Sequence, residues 1–347
     1  MSLAFAAALL VGGCGGGTGG VAVGPSTLPI PPGASNVDKP SGTSANLKVL
    51  SWAGFKAAVS YTFDDSQPSQ IAHYAELQAA GVPMTFYVSS GNSGEANYNA
   101  TFTKAVKDGH EIGNHTVHHC QADLTGCSFG TLPAGATIAT ELDQCDAYIT
   151  QNFGQSAVWT GASPFGDTGY DTSALSRFFL YRGVSGGLVT PNDNTDPFDL
   201  PCHLAAEGET AAMFNTATDT AHTHGAWQIF LIHTIQPTTD VWYNPVDITA
   251  VTGSMAHAKS LGNVWIDTVA NVGAYWRAEK IFSGVTPTSA GGKQTWTWTL
   301  PTNFPPGKYL RVTVDGGTLT QRGDALPWIT HGYYEVALDA GSLTWSP

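Results

Sequence analysis

Lys56-Ala57-Ala58-Val59-Ser60-Tyr61-Thr62-Phe63-Asp64-Asp65 is an apolar run that ends in two adjacent carboxylates. Residues 56–63 read as a buried strand, and 69–80 follow with helical spacing at Ile71, Tyr74, Ala75 and Leu77 before Gly81. The alternation then repeats, with strands at 84–89, 111–113, 157–161, 178–184, 227–232 and 263–266. Helices are expected between or after them at 98–107, 138–152, 171–177, 246–260 and 267–277. Strands alternating with helices imply a parallel sheet with helical crossovers. About seven such units predict an α/β fold, a distorted seven-stranded (β/α) barrel, in which chemistry gathers at the C-terminal ends of the strands.

The pattern changes near residue 281, where 296–298, 309–314, 333–338 and 343–345 read as strands between Pro and Gly turns. The expected organisation is therefore a signal-like segment 1–14, a flexible Gly/Pro/Ser linker 15–45, a catalytic barrel 46–280 and a small β-rich module 281–347. Residues 4–11 are apolar but too short to span a bilayer. They lead into Val11-Gly12-Gly13-Cys14, which resembles the end of a bacterial lipoprotein signal, with Cys14 as the lipidated residue. This places the protein outside the cytoplasm, secreted or tethered to a membrane through Cys14.

Hydrophobic residues make up 42% of the 347 and charged residues 12%, which fits a globular chain. A net charge of −13 without a basic run argues against a nucleic-acid partner, and a monomer is expected. Cys120, Cys127, Cys145 and Cys202 allow two disulfides in an exported chain. The pairings favoured are 120–127 and 145–202.

Two carboxylates side by side in a half-buried place need a cation or a split in protonation. Gly113-Asn114-His115-Thr116-Val117-His118-His119 supplies imidazoles, and His115 and His119 at i and i+4 would share a face of a helical turn. Two imidazoles and one carboxylate make a three-ligand site with open positions. The same histidines could equally form a hydrogen-bonded surface turn. Thr116 after the first His excludes the zinc-protease pattern, which needs Glu there. Phe230-Leu231-Ile232-His233 delivers one more His at a strand end, and Ala162-Ser163-Pro164-Phe165-Gly166-Asp167 is a turn after another strand.

The order TFDD, HTVHH about fifty residues later, SPFG and then LIH resembles the NodB-type polysaccharide deacetylases of carbohydrate esterase family 4, over roughly residues 48–280. The resemblance implies a (β/α) barrel and a divalent metal, zinc first, with Co2+, Ni2+ or Mn2+ as alternatives. Asp65, His115 and His119 would be its ligands, Asp64 the general base and His233 the general acid. The backbone N–H of Phe165 would help hold the oxyanion. It implies an acetylated oligo- or polysaccharide as substrate, N-acetylglucosamine polymers first and O-acetylated xylan second. A third reading is a glycan-binding protein that kept the barrel and lost turnover. The chain departs from the family at Ala162, where an Arg would orient the base. Arg182 at a nearby strand end is the candidate replacement, or else a structural ion pair. The motif that orients the acid histidine is not recognisable, and Asp199 and Asp267 are the substitutes available. Trp52, Trp159 and Trp242 are candidates for stacking on sugar rings, and Trp296 and Trp298 for a platform on the β module or for packing on the barrel.

Overall fold

A computed structural model describes residues 26–92 and 95–347, so Cys14 and the segment around it lie outside the described residues. Eight parallel strands form the central sheet: β1 (Ala57–Asp64), β2 (Thr85–Val88), β3 (Glu111–Asn114), β4 (Thr160–Ala162), β5 (Leu180–Arg182), β6 (His203–Leu204), β7 (Trp227–Ile232) and β8 (Val264–Ile266). Their order is β5-β4-β3-β2-β1-β7-β6, a path of seven, with β8 pairing beside the first half of β1. Leu200 bridges back to Arg182, and Leu200 N–H donates to the Tyr181 carbonyl (3.0 Å) while Gly183 N–H donates to that of Leu200 (3.0 Å). The sheet thus curls into the expected distorted barrel, joined across its last gap by an irregular segment.

All eight residues of β1 are buried, as are all six of β7, because both are central strands covered on both faces. Helix Ile138–Phe153 begins at a capping box of Thr137 and Thr140 and ends at Gly154 in the left-handed conformation (φ 77°). At the N-terminal end of the barrel, buried Glu111 accepts from Ala270 N–H (2.9 Å) at the start of helix Val269–Ser283 and from Thr160 Oγ1 (2.6 Å). A carboxylate is favoured at that helix end. The sequence shows neither β6 nor helix Ala211–His224. A two-residue strand has no periodicity, and the helix is built mainly of Ala and Thr.

The C-terminal residues form a five-stranded antiparallel sheet and a three-stranded one that includes Lys48–Val49 from before the barrel. Trp296 and Trp298 are buried in the hydrophobic cluster that also holds Trp227, Trp276 and Phe282, and Trp298 packs on Phe282 (5.5 Å). They join the module to the barrel and offer no face to a sugar. Residues 26–47 run against the module: Arg311 donates to the Pro29 carbonyl (2.7 Å) and Trp328 Nε1 to that of Val37 (2.8 Å).

Candidate active site

Parallel register brings the sequence motifs to one edge. Phe63 pairs with Ile232 and Asp64 with Tyr87, so His233 lies one residue beyond the paired end of β7, level with Asp64. Asn114 pairs with Val88, which puts His115 just past the end of β3. The chain turns sharply after β1, with Asp65 (φ 74°) and Ser66 (φ 54°) in the left-handed region. Each such non-glycine residue costs on the order of 1 kcal/mol or more and persists only where its surroundings hold it. The turn lets both carboxylates face one crevice instead of alternating.

Asp65 Oδ1 lies 3.3 Å from His115 Nε2 and 3.4 Å from His119 Nε2, and Asp65 Oδ2 lies 3.8 Å from His233 Nε2. The helical turn expected for His115 and His119 is not there. Thr116 (φ 65°) and His119 (φ 48°) are left-handed, and a tight loop without helix brings the two rings to 4.7 Å. His115 Nδ1 is 2.9 Å from the Ala162 carbonyl, so this nitrogen carries the proton and Nε2 presents its lone pair. His119 Nδ1 is held by Ser128 Oγ (3.1 Å), next to the disulfide Cys120–Cys127. His118 turns away and pairs with buried Glu141 (2.8 Å).

Burial by itself would raise the Asp65 carboxyl, but the close approach of His115, then His233 and His119, holds it well below the usual carboxylate range. Burial and the neighbouring His115 push His119 down to about 4, which keeps it neutral and able to ligate. Burial also lowers His115, but Asp64 and Asp65 outweigh it and the net shift is upward. Burial holds His233 below the usual imidazole range, with Asp65 and Asp64 offsetting only part of it.

Arg182 is fully buried and forms an ion pair with Asp64 Oδ2. It also donates to the Gly183 carbonyl (2.8 Å) and lies over the Tyr87 ring (5.2 Å). Ala162 and Arg182 are register partners on adjacent parallel strands. The guanidinium thus reaches Asp64 from one strand further round, and Ala162 gives only its carbonyl. Gly113 makes room beneath, since a Cβ there would lie 2.5 Å from the Tyr87 ring.

Neither substitute for the missing fourth motif reaches His233. Asp267 is occupied with Trp265 Nε1 (3.1 Å), Thr268 N–H (2.8 Å) and Asn271 Nδ2 (2.8 Å). Asp199 abuts Gly183. His233 Nδ1 has no partner among the described residues, and its ring packs edge-on against Tyr243 (4.9 Å). Phe165 is left-handed (φ 58°), with its ring 4.5 Å from His119. Asp167 is a turn residue, accepting from Gly169 N–H (2.9 Å) and Ala122 N–H (2.8 Å). The pairing of Cys145 with Cys202 is overturned. Both are buried free thiols, and they lie in different hydrophobic clusters, Cys145 on an outer helix against the Val88 carbonyl and Cys202 beside Arg182.

These groups line a cavity of about 720 Å3 that includes Asp64, Asp65, His115, His119, Phe165 and His233. Of the three Trp candidates, Trp52 is core, Trp159 is partly buried and Trp242 lines the cavity. Sequence reasoning missed Gln67, Ser128, Phe129 and Tyr243, which also line it. Only Ser128 carried a signal, its place directly after Cys127.

Residues 54–184 match the model of the polysaccharide deacetylase family. They belong to that family. It is the one the four motifs resemble, and the match holds the first three of them, TFDD, HTVHH and SPFG. No curated protein matches the chain. Among solved structures, it is similar to the Xyl-CE4 domain of a multidomain xylanase from the hindgut metagenome of Trinervitermes trinervoides, at 18% identity over 62% of this chain and 89% of that one, with a TM-score of 0.41. A family 4 acetyl xylan esterase from Clostridium thermocellum in complex with a cobalt ion shows 19% identity over 62% and 89%, with a TM-score of 0.39. The catalytic domain of peptidoglycan N-acetylglucosamine deacetylase from Eubacterium rectale shows 16% over 65% and 92%, with a TM-score of 0.40.

Proposed function

We propose that the cavity hydrolyses acetyl groups on a glycan, N-acetylglucosamine polymers first, with water as the nucleophile. The observation that carries this reading is the division between the two carboxylates. Asp64 is neutralised by Arg182, while Asp65 faces three imidazoles.

Asp65, His115 and His119 fit a divalent cation. One ligand atom from each lies within 4.8 Å of the others, and Asp65 Oδ1 is buried with no hydrogen-bond donor. An imidazole-imidazole-carboxylate set suits zinc, with Co2+, Ni2+ or Mn2+ as alternatives. Such an ion, when bound, polarises an acetyl carbonyl and acidifies water. His115→Ala is expected to lose nearly all bound zinc while His118→Ala keeps it, as read by metal content after dialysis. Equal zinc in the two variants would refute the ligand set.

Asp64, held in place by Arg182, takes the proton of the attacking water as its oxygen bonds to the acetyl carbon. The Phe165 N–H is the backbone donor for the oxygen that gains charge. The carbon–nitrogen bond then breaks, His233 gives its proton to the departing nitrogen, and acetate and a free amine remain. Burial makes an imidazolium at position 233 ready to give up that proton. An O-acetyl ester on xylan would follow the same steps with an easier leaving group.

Acetate release from N-acetylglucosamine oligomers and from acetylated xylan, with and without EDTA, tests the proposal. Release from the first that EDTA abolishes is the expected result. Release from xylan alone would shift the substrate to the ester. Without metal-dependent acetate from either, the barrel would be a glycan-binding domain.

A further inference from the structure

Three exposed aromatic side chains occur among the described residues, Phe165 (52%), Trp242 (41%) and Tyr243 (51%), and all three line the candidate active site. Of the ten Trp residues in the chain, Trp242 is the exposed one. Aromatic rings are costly to leave in water, so their gathering at one cavity marks a surface shaped for a ligand.

Their placement is fixed from below. Thr234 Oγ1 donates to Gln67 Oε1 (2.6 Å) and accepts from the backbone N–H groups of Trp242 (3.2 Å) and Tyr243 (3.1 Å). Gln67 Nε2 in turn donates to Asp65 Oδ2 (3.3 Å). The loop that carries the two rings is therefore tied by side chains to a carboxylate of the reacting centre. Trp242 is backed by Phe129 (5.8 Å), and Tyr243 stands edge-on to His233 (4.9 Å). Phe165 stands against His119 (4.5 Å). His119 and His233 approach different oxygens of Asp65, so Tyr243 and Phe165 flank that centre through two different histidines.

We propose that Trp242 and Tyr243, with Phe165 beyond His119, form a stacking rim for the pyranose rings next to the one being deacetylated, so that the site selects an oligosaccharide over a single sugar. The inference rests on the glycan reading above. A pyranose offers an apolar face of C–H groups and polar edges, which suits an aromatic ring beside a polar cavity. Tyr243, edge-on to the acid histidine, serves the ring adjoining the reacting one. Trp242, further out on the same loop, serves the next.

The zinc-loaded protein is titrated with the deacetylated product, a glucosamine tetramer, against the glucosamine monomer, with xylotetraose against xylose as a second arm. High salt keeps the net charge of −13 from holding the cationic probe unspecifically. The tetramer is expected to bind about tenfold more tightly than the monomer and to change the fluorescence of the exposed Trp. Trp242→Ala should remove most of that tenfold advantage and the fluorescence change, Trp242→Phe should keep part of the advantage, and Met213→Ala, at an exposed residue outside the cavity lining, should alter neither. The preferred arm tells an amino sugar from a pentose polymer. Equal binding of tetramer and monomer, or an advantage that survives Trp242→Ala, overturns the rim. A Trp242-dependent advantage in a protein that releases no acetate would support the rim and refute the hydrolase reading.

Discussion

Arg182→Ala is expected to abolish most acetate release and to lower stability by about 3–5 kcal/mol, the cost of leaving one partner of a buried ion pair alone. Asp64 is 2% exposed, and Arg182 is the cation on it. Without Arg182, the buried carboxylate loses the cation that holds it in place, and its use as a positioned base ends with it. Stability read from chemical denaturation and kcat from acetate release check the two halves separately. The register supplies a sharper version. Ala162 and Arg182 are partners on adjacent parallel strands, so their side chains leave the sheet on the same face. Moving the guanidinium back in Arg182→Ala/Ala162→Arg is expected to restore part of both losses. Unchanged kcat in Arg182→Ala would show that the ion pair is structural only.

Asp64→Asn is expected to lower kcat by roughly 10²–10⁴, the range that a positioned general base supplies. Bound zinc should stay the same, because Asp65, His115 and His119 are the proposed ligands. This separates the two carboxylates, which stand next to each other in the chain and do different work. If the variant lost zinc together with activity, Asp64 would be a ligand and the division of roles would be wrong. Stability is expected to fall as well, because Arg182 is then left buried without its anion.

The barrel was legible because its central strands are covered on both faces and read as continuous apolar runs between helical patterns. β1 and β7 stand out for that reason, whereas β6 has two residues and leaves no trace. The motif histidines were visible as residue types, but their backbone was not. Periodicity suggested a helical turn for His115 and His119, while the left-handed Thr116 makes a loop, which only the surrounding packing determines. The position of Arg182 depends on register across two strands, and register is a tertiary property. The same holds for the cysteines. Spacing could suggest the short Cys120–Cys127 loop, but a partner for Cys145 depended on which cluster each thiol joins. Tyr243 gave no sign in the sequence, because a loop ring becomes a candidate only once the loop is seen to border the cavity.

In the proposed mechanism, Asp65, His115 and His119 hold a metal beside which Asp64 moves a proton. Its most direct test is to strip the protein with EDTA and titrate zinc back while measuring both bound metal and acetate release from N-acetylglucosamine oligomers. Wild-type activity is expected to return in step with one zinc per chain, and Asp64→Asn to take up the same zinc and stay inactive. Acetate release by the stripped protein, or full activity in zinc-loaded Asp64→Asn, would contradict it.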